Sequence, residues 1–271
     1  MIGQKSILEK FNTFENIPSA VLLIGRKGCG KKTLVNTISS NLGVEIVNID
    51  KFSDDVKLEL NIAVSRKILI VDLTTLAQEK QSTSLQNSAL KFIEDIPATY
   101  KIFILAEDES SVLNTILNRC YIQTFEEYTV DELRAIAAEN NNSILEAYED
   151  KYFNYLTTPQ EVLTAPNVKQ IQEIETLIDT IFNAIARANI SNTLSISKKI
   201  NFDNEIGLYD LNIFLNIFRY KLVEKLKTDY DEKYFQVFNK FNILYYNINR
   251  GNNNKMSMFE NFLLDVKQIL T

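Results

Sequence analysis

Cysteine is almost absent from these 271 residues: only Cys29 and Cys120 occur. Two thiols cannot build a disulfide framework, and no CxxC pair offers a zinc site, so no bound structural metal is expected. Glycine and proline are scarce too, at 7 and 4 residues, so few loops are expected and the second half reads as mostly helical. A basic excess is also missing. The 29 lysines and arginines face 35 acidic residues, a net charge of -6, which argues against a chain that coats nucleic acid by itself. The opening MIGQKSILEKF lacks the apolar run of a signal peptide, and no segment reaches the length of a membrane span. A cytoplasmic protein without membrane contact is expected. The hydrophobic share of 45% and charged share of 24% are ordinary for a globular chain with an ample core.

Short apolar runs bounded by turns recur through the first half, at residues 20–25, 45–50, 67–72, 101–106 and 121–125. Their length suits buried strands. The intervening stretches have helical spacing: Leu34, Val35, Ile38 and Leu42 share a face, as do Leu85, Ala89, Phe92 and Ile93. Strands alternating with helices predict a parallel sheet covered on both faces. Near residue 127 the pattern changes. Thr129-Val-Asp-Glu132 is a capping box that opens a helix, the asparagines at 140–142 close it, and Thr157-Thr-Pro159 starts another. From about residue 167 nothing reads as strand. The helical stripes there are Ile174, Leu177, Ile178, Ile181 and Ile185; then Leu211, Phe214, Leu215, Phe218, Leu222 and Leu226; then Phe235, Phe238, Phe241 and Tyr245; and last Phe259, Phe262, Leu263 and Val266.

The first run leads into GRKGCGKKT, residues 25–33. A strand, a GxxxxGK loop and a helix together form the context of a phosphate-binding loop. Gly25, Gly28 and Gly30 would let successive amides turn inward, and Lys31 would reach the outer phosphates. The next position normally offers a hydroxyl to magnesium. Here it is Lys32, whose ammonium repels the metal, and Thr33 is one step further round the helix. A ligand-free glycine turn before a helix is the plain alternative. Asp72, ending KILIVD, stands where an acidic residue would hold magnesium through water, but it could equally cap the next turn. The following residue is Leu73, which can neither accept a proton nor polarise water. Arg119, in Leu117-Asn-Arg-Cys120, would ordinarily make a surface ion pair of little worth.

Taken together, Ile2-Gly3-Gln4, IPSAVLLIGRKGCGKKT, KILIVDLTTL, LQNSALKFIEDIP and ILNRC resemble the clamp-loader branch of the AAA+ ATPases, and within it the bacterial delta-prime type. The resemblance implies an α/β P-loop AAA+ core with a five-stranded parallel sheet at residues 1–126. A small helical lid would follow at 127–166 and an all-α collar for oligomerisation at 167–271. By the same resemblance Arg119 matches an arginine finger acting in trans, Lys31 the phosphate-binding lysine and Asp72 the metal-coordinating aspartate. Gly25, Gly28, Gly30 and Thr33 complete a degenerate nucleotide site. The departures fall on one side: Lys32 for the hydroxyl, Leu73 for the catalytic glutamate, Asp108 near the fourth strand's polar sensor, and Glu161 for the lid's sensor arginine. The four-cysteine zinc module of many relatives is missing, which fits a divergent or phage-encoded version.

The expectation is therefore a subunit with weak or absent ATP binding and no ATPase activity of its own. Its implied partners are the other clamp-loader subunits, the sliding clamp, and primed DNA reached through the complex. An active motor ATPase with a variant loop is opposed by Lys32 and Leu73. A clamp-opening adaptor would expose apolar residues near 78–85, where Leu76 and Leu85 are available. Lys5, Lys10, Lys27, Lys31 and Lys32 could face template DNA, although solvated lysines beside a phosphate loop explain them as well.

Overall fold

The computed structural model describes residues 1–49, 65–74, 79–94, 96–140, 142–186, 200–201, 209–228, 232–249 and 254–270. Two compact units divide the chain, Met1–Ile136 with Thr158–Gln160, and Ala137–Thr157 with Glu161–Thr271.

Five parallel strands make the sheet of the first unit, in the order β2-β3-β4-β1-β5. They are β1 (Ala20–Ile24), β2 (Glu45–Asn48), β3 (Lys67–Asp72), β4 (Tyr100–Ala106) and β5 (Tyr121–Thr124). Their runs read as continuously apolar because successive residues supply two different cores. Leu22, Ile24, Leu69, Val71, Ile102 and Ile104 join Leu85, Ala89, Phe92 and Ile93 on one face. Val21, Leu23, Ile68, Ile70, Phe103 and Leu105 join Leu34, Val35 and Ile38 on the other. The covering helices are α1 (Lys5–Lys10), α2 (Lys31–Leu42) and α3 (Glu79–Glu94). The expected α/β architecture is present, with strand limits within about two residues of those read from the sequence.

The chain start is tied to the end of β5 by one side chain. Gln4 Nε2 donates to the carbonyl of Glu126 at 2.8 Å, and Gln4 Oε1 accepts from the Glu126 amide at 3.1 Å. A buried amide group satisfied at both ends by backbone is a substitute for a strand pairing. A short helix, α4 (Asn114–Leu117), precedes β5, and α5 (Val130–Glu139) follows it. The capping box at its start forms as expected: Thr129 N donates to Glu132 Oε2 at 2.9 Å and Glu132 N to Thr129 Oγ1 at 3.2 Å.

The second unit is largely helical: α6 (Asp150–Phe153), α7 (Pro159–Leu163), α8 (Val168–Ala186), α9 (Leu211–Thr228), α10 (Glu232–Asn249) and α11 (Lys255–Leu270). Pro159 and Gln160 begin α7 but cluster with the first unit. One departure from the sequence reading is a parallel pair of two-residue strands, β6 (Ile200–Asn201) and β7 (Tyr209–Asp210). Two residues are too short to show alternation, so no periodicity could announce them. A second departure concerns α10. Its buried face is Val237, Phe241, Leu244 and Ile248, while Phe235 is 44% exposed. The stripe that followed the aromatic residues was rotated from the one that follows burial. The stripes on α9 and α11 are buried as read, apart from the half-buried Leu226.

Phe218 organises this core. It stacks on Phe182 at 5.1 Å between ring centroids and on Phe241 at 5.2 Å, with Phe262 edge-on at 5.7 Å. Three helices thus share one ring, which is fully buried. Phe218→Ala is expected to cost the helical unit roughly 3–5 kcal/mol. Urea unfolding followed by far-ultraviolet circular dichroism measures it; a loss below about 1 kcal/mol would show that the ring is not the keystone.

Candidate functional site

The carboxyl ends of β1, β3 and β4 lie side by side, because Asp72 pairs with Leu105 and Ile24 with Ala106. Loops leaving those ends build the site, as is general for open α/β sheets. The glycine loop leaves β1 with Gly25 N donating to Ala106 O at 3.2 Å. Gly28 and Gly30 have φ of 78° and 92°, a region that glycine enters without steric cost. A Cβ on Gly28 would also lie 2.5 Å from Cβ of Gln160, whose amide donates to Gly28 O at 3.2 Å. On another side Tyr128 donates its hydroxyl to Cys29 O at 2.8 Å, and burial pushes that phenol up to about 12. The loop is braced at two points.

Lys31, only 6% exposed, turns back into the loop it follows. Its ammonium donates to the carbonyls of Gly25 and Arg26, the latter at 3.0 Å, and approaches Cys29 Sγ at 3.9 Å. An ammonium has three donors, and here each has an acceptor inside the loop. Cys29 is a weak one: burial pushes its thiol above the ordinary value, with Lys31 pulling the other way. Lys32 and Thr33 are exposed at the start of α2, and the backbone carbonyl of Thr33 accepts from Thr37 Oγ1 at 2.9 Å.

Asp72 is occupied in the manner of a turn cap. Its Oδ1 accepts from Thr74 N at 3.0 Å and from Thr74 Oγ1 at 2.6 Å. Leu73 is 7% exposed and packs in the core beneath the sheet's edge. These residues do not fit a magnesium nucleotide that is hydrolysed here. The position after Lys31 is cationic, Asp72 Oδ1 is engaged with its own turn, and the residue after Asp72 is a leucine rather than an acid.

Asp108, the residue near the position of the fourth strand's polar sensor, has a local partner in the turn that follows it. It caps the short turn at Glu109–Ser111, with Oδ1 accepting from Ser111 N at 3.0 Å and from Ser110 Oγ. The acid that faces the loop is its neighbour Glu107, one residue past the end of β4. Burial raises its carboxyl pKa; Lys31 and Lys27 lower it, and Asp108 and Asp72 raise it further. Glu107 escaped the sequence reading, though a glutamate directly after an apolar strand was the available signal. Glu161 likewise has its own partners within the second unit. Its Oε2 accepts from Thr157 N at 2.7 Å, and its Oε1 from Asn216 Nδ2 at 3.1 Å.

Arg119 is exposed at the end of α4, away from those strand-end carboxylates in sequence and held by α3. Its Nη2 pairs with Glu94 Oε1 at 2.8 Å and its Nη1 donates to Thr115 O at 3.0 Å. Gln86, 3% exposed, fixes the approach to α4: Leu113 N donates to its Oε1 at 2.7 Å, and its Nε2 donates to Ser111 O at 3.1 Å. Leu85, suggested as a docking residue, is instead buried in the core. Leu76 and Gln78 lie outside the described residues.

Residues 42–129 match the family described as DNA polymerase III, delta subunit. The matched segment covers about a third of the sequence and takes in Asp72, Gln86, Glu94 and Arg119, but begins beyond the glycine loop. No curated protein matches the chain. Among solved structures, the RuvB Holliday junction branch migration motor of Thermotoga maritima is similar at 18% identity and a TM-score of 0.47, over 83% of this chain and 76% of that one. A DNA polymerase III gamma subunit-related protein of the same organism is similar at 14% identity and 0.46, over 99% and 100%. Likenesses this distant say nothing about the chemistry of the site.

The position of Glu107 has a consequence for pH. Its carboxyl is raised in the folded state, so folding favours the protonated form, and stability declines as pH rises above the ordinary carboxylate value of 4.5. Glu107→Gln removes that decline. The variant should melt higher than wild type at pH 7, by up to roughly 2 °C, and the gap should close below about pH 4.5. Thermal unfolding of both proteins from about pH 4 to pH 8 tests this; a variant less stable at pH 7 would refute it.

Proposed function

We propose that this chain is a delta-prime-type subunit of a DNA polymerase III clamp loader that hydrolyses no ATP itself and lends Arg119 to the ATP site of a neighbouring subunit. The observation that carries the reading is the contrast between two cations. Lys31 is buried and spends its donors on its own loop, whereas Arg119 is exposed at the end of a short helix. A guanidinium outside its own site can stabilise charge developing on a phosphoryl group that another chain holds.

Nucleotide binding at residues 25–33 is weak or absent in this reading. Triphosphate would have to draw Lys31 from its carbonyls and sit beside Glu107, and both changes oppose it. The loop persists as the piece that joins β1 to α2. The helices from Val168 onward serve as the collar that joins neighbouring subunits, and the sliding clamp and primed DNA are reached through the assembly. Among the described residues no helix is long and apolar enough to cross a membrane, and we place the work of the subunit in the cytoplasm.

The reading separates the isolated chain from the complex. Alone, the purified protein should turn over no ATP above background, and Leu73→Glu should not awaken it, because Lys32 remains. In a complex reconstituted with ATP-hydrolysing clamp-loader subunits, Arg119→Ala should slow DNA-stimulated clamp loading by roughly a hundredfold or more. Unchanged loading in the Arg119→Ala complex would refute the finger assignment; turnover by the isolated wild-type chain would favour a motor subunit.

A further inference from the structure

We infer that Glu94 is the positioning residue for Arg119: it holds the guanidinium at the subunit edge so that its outer donors face a neighbour. The inference rests on reading Arg119 as a finger acting in trans.

The argument begins with an oddity of α3. Glu94 is its last residue, and a carboxylate there meets the negative end of the helix dipole. Helix stability therefore gives no reason for an acid at that position. What the carboxylate does contact is Arg119 Nη2, at 2.8 Å. The second hold comes from the chain around Arg119 itself, through Nη1 and the carbonyl of Thr115 at 3.0 Å. Each terminal nitrogen carries two donors. The two holds use one on each nitrogen, which leaves one on each uncommitted to Glu94 or Thr115. A guanidinium held in this way keeps a planar, two-toothed face for phosphate oxygens.

The same helix fixes the base of the arginine arm. Gln86, two turns earlier on α3, is buried and holds both Ser111 O and Leu113 N at the start of α4. Gln86 and Glu94 thus make α3 a strut with two grips, one on the backbone that leads into α4 and one on the side-chain head beyond it. A flexible arginine has many rotamers to lose when it docks, and a misplaced catalytic group loses rate steeply. Glu94 removes part of that loss in advance. Its pair with Arg119 is exposed, with the two side chains 51% and 42% accessible, so it is too weak to withhold the arginine from a triphosphate.

Two measurements test the assignment. In the full isolated chain, the Nε–H of Arg119 should be restrained in nitrogen-15 relaxation of the wild type, freely mobile in Glu94→Gln, and intermediate in Glu94→Asp. In the reconstituted complex, Glu94→Gln should lower the kcat of DNA-stimulated ATP turnover about fivefold with KM for ATP unchanged. Glu94→Asp should recover part of it, and adding Glu94→Gln to Arg119→Ala should cause no further loss. A mobile Arg119 in the wild-type chain overturns the inference, as does a kcat for Glu94→Gln that is higher or within twofold of wild type while Arg119→Ala is impaired. If Arg119→Ala itself leaves turnover unchanged, the finger reading fails and this inference falls with it.

Discussion

A buried cation needs acceptors, and the ammonium of Lys31 takes them from its own loop. Gly25 and Arg26 offer carbonyls to which Lys31 donates, and the Arg26 carbonyl accepts from the Cys29 amide as well, at 3.2 Å. The loop thereby meets the need of a buried ammonium for acceptors. The rest of the edge depends on this closure. The left-handed glycines curl the backbone so that the carbonyls point inward, Gln160 closes over Gly28, and Tyr128 anchors Cys29. A loop satisfied from within has less to gain from an added anion than one whose lysine is unengaged.

The neighbouring carboxylates extend the same logic. Asp72 and Asp108 each accept from the turn that follows, so both are consumed in ending strands cleanly. Glu107 feels both Lys31 and Lys27, and burial works against its charge. Leu73 completes the pattern from the other direction, by committing to the hydrophobic core the position where a water-activating acid would stand.

How much of this could be read in advance varies with the length of the signal. The sheet was legible because each strand is a compact apolar run and because the loop between β1 and α2 has a fixed grammar of glycine and lysine. Lys32 and Leu73 were legible as departures from the loop's usual pattern by residue type alone. What Asp72 and Arg119 touch was not legible, since an Asx turn and an ion pair depend on side-chain direction. The sequence offered each of them a modest local role beside a functional one, and the modest contact is present in both cases. For α10 the spacing allowed two frames: 235, 238, 241 and 245, or 237, 241, 244 and 248. Both keep helical periodicity, and the size of the phenylalanines favoured the wrong one. The frame with Val237 is the buried one, and Phe241, common to both frames, packs on Phe218 and Phe262.

The ion pair of Arg119 does not weigh against a role in trans. A finger must be available to another chain yet cannot wander, and those demands are met together only by a hold that is weak and directional. A deeply buried pair would lock the guanidinium away, because breaking it strands a charge. An unpaired arginine would meet the neighbour in many rotamers and lose rate in the search. An exposed contact with Glu94, backed by one backbone carbonyl, lies between these limits. The same surface ion pair that reads as ordinary in isolation is then the form a presented arginine should take, and its meaning comes from α3, which carries both Gln86 and Glu94 to the one segment that bears Arg119.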